Sequence, residues 1–294
     1  MKLLIYGAGV IGCFYGSLFS EAGYDVSVYA RGKRLESLKS TGLQYTNGNT
    51  VKRAKVKIVS HIEADDCYDF IFLTVREDQL RTALQELQDN ISPTIVTMAN
   101  SLETYDKWEG ICGKGKILPA FPGAGGSFKN DILDAALAPR MVQPTTFAEI
   151  DGEKSERLLS LAKIFRRSHI PYQIVADMHT WQLCHLAMVV PLADAYYDAV
   201  NPRKVGYEWK VMEKTAKRMK RNYKALRRTG HVLSPKKMYL FCCMPIPFLT
   251  VGLQITFLSS FGEKFMYQHA MKAPDEMRGL HRQFYGYLKR RLGK

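Results

Sequence analysis

Short apolar runs alternate with helical stripes over roughly the first 176 positions. Lys2 to Tyr6 is an apolar run of strand length, and a helical pattern follows it from Val10 to Ala22, stopped by Gly23. Val26 to Tyr29, Tyr68 to Val75, Thr94 to Ala99 and Lys116 to Phe121 are further apolar runs. The run from Tyr68 to Val75 is of the buried, parallel type. Met141 to Ile150 and Ile170 to Ala176 are read as additional strands, and Leu43 to Val51 as a hairpin around Asn47-Gly48. Helical spacing covers Asp78 to Leu87 and Lys154 to Arg167. Strands alternating with helices predict a parallel, doubly wound sheet.

After Asp177 the pattern becomes helical. Thr180 to Val200, Tyr207 to Arg228 and Glu276 to Leu292 are the clearest segments. The expected architecture is α/β, with an N-terminal Rossmann-type domain over residues 1–176 and an all-helical domain over 177–294. In the second helix, Trp209, Met212, Ala216, Met219, Tyr223 and Leu226 recur at spacings of three and four, which predicts a buried stripe. From Met238 to Gly262 no residue is charged, a length that would suit a membrane span. Pro245 and Pro247 interrupt it, and Gln254, Ser259 and Ser260 dilute it. Two short buried helices around a proline turn are predicted there, without membrane association.

Charge divides the chain in the same place. Residues 1–150 carry a net −1 and residues 151–294 a net +15, and between Arg203 and Lys237 13 basic residues face only Glu208 and Glu213. A solvated helix face accounts for this, since no nucleic-acid motif accompanies it; an acidic substrate steered by the field is a further option. The six cysteines are scattered without zinc-site or disulfide spacing, so no metal is expected and a reducing cytoplasm is. No basic-then-apolar leader precedes the first strand, so no signal peptide is expected.

The chemistry starts at Gly7-Ala8-Gly9-Val10-Ile11-Gly12, placed between a strand and a helix. In this order Gly-x-Gly-x-x-Gly binds a dinucleotide: Gly7 permits the turn, Gly9 admits the pyrophosphate, and Gly12 lets helix and strand approach. Free N–H groups at the helix start would hold the phosphates. At the end of the second strand an NAD site places Asp or Glu to bind the ribose 2′-hydroxyl. Here Tyr29 and Ala30 precede Arg31, with Lys33 and Arg34 adding positive field. A guanidinium there suits a 2′-phosphate, so NADPH/NADP+ is the expected cofactor.

These residues resemble the ketopantoate reductase (2-dehydropantoate 2-reductase) family. The glycine motif and Ala30-Arg31-Gly32 match its opening, and Leu73 to Gln79 resembles its strand-plus-Lys-x-x-Gln segment with Arg76 in the lysine's place. Asn100 matches an asparagine at the next strand end, and Phe147 to Gly152 resembles its Gly-Glu-x-Asp-Gly segment. The resemblance implies an NADPH-binding Rossmann domain, a helical substrate domain and an active site in the cleft between them. It implies that Arg76 and Gln79 flank the ribose or phosphate, and that Asn100 borders nicotinamide and substrate.

The family's second domain opens on a helix with Trp-x-Lys and an asparagine four residues after the lysine, which donates the proton. Here that helix reads Trp181-Gln182-Leu183-Cys184-His185-Leu186-Ala187, with Pro191 beyond. Alignment on Trp181 puts Leu183 and Ala187 at the lysine and asparagine; alignment on Pro191 puts Gln182 and Leu186 there. Neither restores the acid. His185 is the alternative donor on that helix, although two residues along is roughly 200° around it, away from Leu183. Glu276 matches the family's late glutamate, and Ser259 or Ser260 its serine. The expected function is NADPH-dependent reduction of a carbonyl or imine on a small, anionic substrate, with a homodimer left open. The alternative is a catalytically degenerate NADPH-binding sensor or interaction protein.

Overall fold

The computed structural model describes residues 1–272 and 274–293, apart from the side chain of His269. Two compact units divide it, Met1–Met178 and His179–Lys294.

In the first unit β1 (Lys2–Tyr6) is central, and all but its first residue is buried. α1 (Val10–Glu21) returns the chain to β2 (Asp25–Tyr29), which pairs with β1 in parallel, Tyr6 opposite Tyr29. α2 (Gly32–Thr41) follows, then a hairpin of β3 (Gln44–Asn47) and β4 (Thr50–Arg53), then β5 (Lys57–Val59). β6 (Phe70–Leu73) pairs on the other side of β1, and α3 (Glu77–Glu86), β7 (Ile95–Thr97), α4 (Tyr105–Cys112) and β8 (Ile117–Phe121) continue outward. After β9 (Ala124–Lys129) and β10 (Ile132–Leu137), β11 (Thr145–Phe147) joins β8 antiparallel. α5 (Glu156–Arg167) then leads to β12 (Tyr172–Ile174). The main sheet has eight strands in the order β12-β11-β8-β7-β6-β1-β2-β5, so the doubly wound parallel sheet is present with β11 and β12, parallel to each other, reversed at one edge. A second sheet runs β4-β3-β10-β9.

α5 shows why such a segment folds. Ser155 caps it by accepting the Leu158 N–H at 3.1 Å, Glu156 begins its first turn and Arg166 and Arg167 end it, complementing the helix dipole. Its buried stripe of Leu158, Leu161, Ala162, Ile164 and Phe165 lies against the core that also holds Phe19 and Phe147.

Several elements differ from expectation. Pro122 to Gly126, which reads as turn, leads into β9, whose partner β10 passes so close that a Cβ on Gly126 would lie 2.3 Å from the Asp134 carbonyl oxygen. Glycines needed for that approach carry no strand pattern. α2 is missed because only Leu35 and Leu38 interrupt its polar sequence. The strands expected over Met141–Ile150 and Ile170–Ala176 shrink to three residues each.

The second unit is helical: α6 (Met178–Asp198), α7 (Trp209–Arg228), α8 (Tyr239–Cys243), α9 (Ile246–Leu258), α10 (Gln268–Lys272) and α11 (Pro274–Leu292). Pro191 lies inside α6, so the Ala187 carbonyl loses its helical N–H partner. Asn222 of α7 replaces it, donating from Nδ2 at 3.2 Å, and Tyr223 donates its hydroxyl to the Cys184 carbonyl at 2.9 Å. The predicted stripe of α7 is buried except at Trp209, which is 46% exposed. Part of its basic face is neutralised within the unit: Lys217 pairs with Glu213, Lys214 with Asp198, and Arg218 with Asp194 and Asp198. The uncharged stretch forms α8 and α9, divided at Met244-Pro245, and among the described residues no helix is long and apolar enough to cross a membrane. These helices are not fully buried as expected. α9 is apolar all round, so packing covers one stripe and leaves Phe248 70% and Ile255 66% exposed.

Candidate functional site

The carboxyl end of β1 turns sharply into α1, and the three glycines serve three different needs. Gly7 has φ +113°, a conformation that disfavours any side chain. A Cβ on Gly12 would lie 2.1 Å from the Gly7 carbonyl oxygen and 2.4 Å from Thr74 Oγ1. At Gly9, the N-cap of α1, an added Cβ would meet nothing within 4 Å. The first turn of α1 carries no acidic residue and no side-chain cap. Its N–H groups therefore face open space beside the exposed Gly9, the arrangement that binds anions at a helix start. Ala8, Val10 and Ile11 complete this turn, all partly buried.

Thr74, just beyond β6, braces the loop: its hydroxyl donates to the Gly7 carbonyl at 2.9 Å and contacts the Tyr6 carbonyl at 3.2 Å. Arg34 reaches across from α2 and donates Nε–H to the Ala8 carbonyl at 3.2 Å, with its guanidinium 4.1 Å from the Phe128 ring centroid. Neither contact carries a sequence signal, because each joins groups far apart in the chain.

Arg31 is the N-cap residue of α2, so its side chain leaves the end of β2 as expected. Its Nη1 contacts Glu86 Oε1 at 2.7 Å. Glu86 ends α3, and its Oε2 accepts from the Tyr6 hydroxyl and, at 3.4 Å, from the Tyr29 hydroxyl. Burial first, and then the Glu86 carboxylate, push the Tyr6 phenol well above its ordinary range, which keeps it a proton donor. Nothing in the sequence pointed to Glu86.

Arg76 is the N-cap residue of α3 at the end of β6, exposed and paired with Asp78 at 3.2 Å. Gln79 is exposed one turn on. Asn100 lies three residues past β7, and its Oδ1 is buried with no hydrogen-bond partner. A buried acceptor left unpaired costs free energy, so it marks a place where a donor is due.

The other predicted residues lie in the second unit. Leu183 and Ala187 are fully buried on α6, as is Leu186. His185 is buried and stacked face to face on Trp181, ring centroids 5.2 Å apart at 9°. Glu276 is in the first turn of α11, partly buried. Ser259 is engaged locally, donating to the Thr256 carbonyl at 2.6 Å and accepting from Gly262 N–H at 3.1 Å. Arg34 thus touches the glycine turn directly and Arg31 is tied through Glu86 to Tyr6 just before it, while His185 and Glu276 stand on separate helices. Among the described residues, no group of three or more His, Cys, Asp or Glu is placed to hold a metal ion.

Comparison with known proteins falls on the same elements. Residues 3–130 match the family model described as ketopantoate reductase PanE/ApbA. A curated 2-dehydropantoate 2-reductase from Archaeoglobus fulgidus is 28% identical over 177 residues, covering 60% of this chain and 57% of that protein. The match thus spans less than two thirds of that relative's length. Among solved structures, a 2-dehydropantoate 2-reductase from Geobacter metallireducens GS-15 superposes with TM-score 0.69 at 14% identity, covering 98% of this chain and 100% of that one. D-mandelate dehydrogenase in complex with NADH gives TM-score 0.70 at 18% identity, covering 98% and 93%. At these identities the structures speak to the fold alone.

Proposed function

We propose that this chain, which is ketopantoate reductase-like in sequence and fold, is an NADPH-dependent oxidoreductase acting on a carbonyl or imine of a small, anionic substrate. The observation that carries the reading is the uncapped start of α1 opening beside Gly9, where backbone N–H groups are free and no side chain intrudes. Gly7 to Gly12 would hold the pyrophosphate and Arg31 the 2′-phosphate, with Arg76 and Gln79 alongside. In this reading residues 1–176 bind nucleotide and 177–294 serve substrate binding or dimerisation. When bound, the nicotinamide supplies a hydride.

The chain's own part is to orient and to move a proton. Asn100, with Oδ1 buried and unpaired, is suited to accept an N–H or O–H at the strand end where the ring and substrate would lie. A reduced carbonyl oxygen needs a donor within hydrogen-bond reach. His185 and Glu276 are the candidates, and the stack on Trp181 fixes the imidazole in orientation. The NADPH-binding premise is checked by fluorescence titration: a wild-type chain that does not bind NADPH overturns it. Arg31→Ala is expected to weaken NADPH about tenfold or more, the scale of a charge-assisted hydrogen bond, and NADH by less than about twofold. Equal losses for both cofactors would refute the role of Arg31.

A second reading rests on a specific observation. Leu183 and Ala187, where the resembled family has its proton donor and an asparagine, are apolar and fully buried. A chain so built could keep the cofactor and lose the reaction, acting as an NADPH-binding sensor or interaction protein. A panel of 2-keto acids and related carbonyls with NADPH separates the two. Turnover of any of them excludes the sensor.

A further inference from the structure

We propose that Glu86 sets the choice between NADPH and NADH by competing with the 2′-phosphate for Arg31. The inference rests on the nucleotide site proposed above and concerns a residue to which that reading gives no role.

In dinucleotide sites an acid at the end of the second strand selects NAD, and a nearby arginine accommodates the extra phosphate of NADP. Here the strand end offers the arginine, while an acid arrives from the last turn of α3. Glu86 Oε1 holds Arg31 Nη1 at 2.7 Å, and its Oε2 is held by the hydroxyls of Tyr6 and Tyr29. The two phenols are neighbours by register, at the carboxyl ends of β1 and β2, with ring centroids 4.7 Å apart. The carboxylate is thus fixed by groups on two strands. The Arg31 side chain, 54% exposed and with its guanidinium carbon 5.9 Å from the Tyr29 ring centroid, is the partner that can move.

A bound 2′-phosphate must therefore draw Arg31 away from Glu86, and it then lies near a carboxylate that stays in place. Both effects oppose the dianion. A ribose hydroxyl carries no charge and meets neither. Arg31 alone would favour NADPH strongly; Arg31 held by Glu86 favours it less, and NADH becomes a usable cofactor.

The test is a titration of NADPH and NADH, each against wild type, Glu86→Gln and Glu86→Lys, with the thermal shift produced by each cofactor as a second readout. Glu86 is on the open side of α3, whose Leu80, Ala83 and Leu84 make the buried contacts, so the fold is kept. Glu86→Gln should tighten NADPH about fivefold, the upper range for an exposed ion pair, and change NADH by less than about twofold. Glu86→Lys should shift the ratio of the two affinities further the same way. Equal changes for both cofactors, or none, would overturn the role of Glu86 while leaving the nucleotide site intact. A wild-type chain that binds neither cofactor overturns the nucleotide site, and this inference with it.

Discussion

Gly12→Val is expected to reduce NADPH affinity by about a hundredfold or more, which corresponds to about 2.7 kcal/mol. A Cβ at this position would stand 2.1 Å from the Gly7 carbonyl oxygen, 2.4 Å from Thr74 Oγ1 and 2.8 Å from Ile5 Cγ2. Two of those atoms belong to the loop and to the strand core, and neither is the end of a flexible chain. Relief requires α1 to move off β1, which breaks the Thr74 brace and turns the helix start away from its anion position. Gly9→Ala is the contrasting substitution. Gly9 has φ −79°, which alanine adopts freely, and its added methyl meets nothing in the protein. It should leave thermal stability unchanged and still weaken NADPH, because the methyl occupies the space meant for the pyrophosphate. Titration with melting curves on both variants checks this. Undiminished binding by Gly12→Val would contradict the proposed placement.

Phe165→Ala is expected to cost about 3–5 kcal/mol of stability, the usual cost of emptying a large aromatic site. Phe165 is fully buried, and its ring lies 5.3 Å from Phe147, 6.1 Å from Phe19, 6.2 Å from Tyr15 and 6.3 Å from both Phe72 and Tyr172, between centroids. Those partners come from α1, β6, β11 and β12, so one ring joins α5 to four elements. Edge and tilted arrangements add to the area term. Domains hold only about 5–15 kcal/mol in all, so the loss is a large share of the first unit's stability. Urea unfolding measures the loss, and a change below about 1.5 kcal/mol would show that the site collapses around the smaller residue. Phe165→Leu should restore most of the difference, because it refills most of the volume.

The parallel sheet was legible because its strands are buried on both faces: Phe70 to Leu73 has no polar residue to confuse with a turn. α1 was legible from the glycines before it and Gly23 after it. The second sheet was not. In β9 the glycines that allow β10 to approach read locally as a loop, and only the pairing explains them. α2 and α4 are short, and in α4 the buried Tyr105, Trp108 and Cys112 recur at helical spacing for only two turns, too brief a stripe to stand out. For the site, the glycine turn and Arg31 were readable because their chemistry is local. Glu86 was not, nor were the contacts that Thr74 and Arg34 make, because the partners lie 55, 67 and 26 positions away. Asn100 stood out by its place at a strand end, but its unpaired buried oxygen is a fact of three dimensions. At His185 the sequence offered a donor, and the structure adds that its ring is committed to a stack.

The way α6 is held to α7 has a consequence for which substitutions α6 tolerates. Asn222 and Tyr223 grip α6 by main-chain oxygens, at Ala187 and Cys184, and not by its side chains. A main-chain oxygen is present whatever residue stands there. A changed side chain at 184 or 187 therefore leaves these two hydrogen bonds in place, and what limits substitution there is the full burial of both positions.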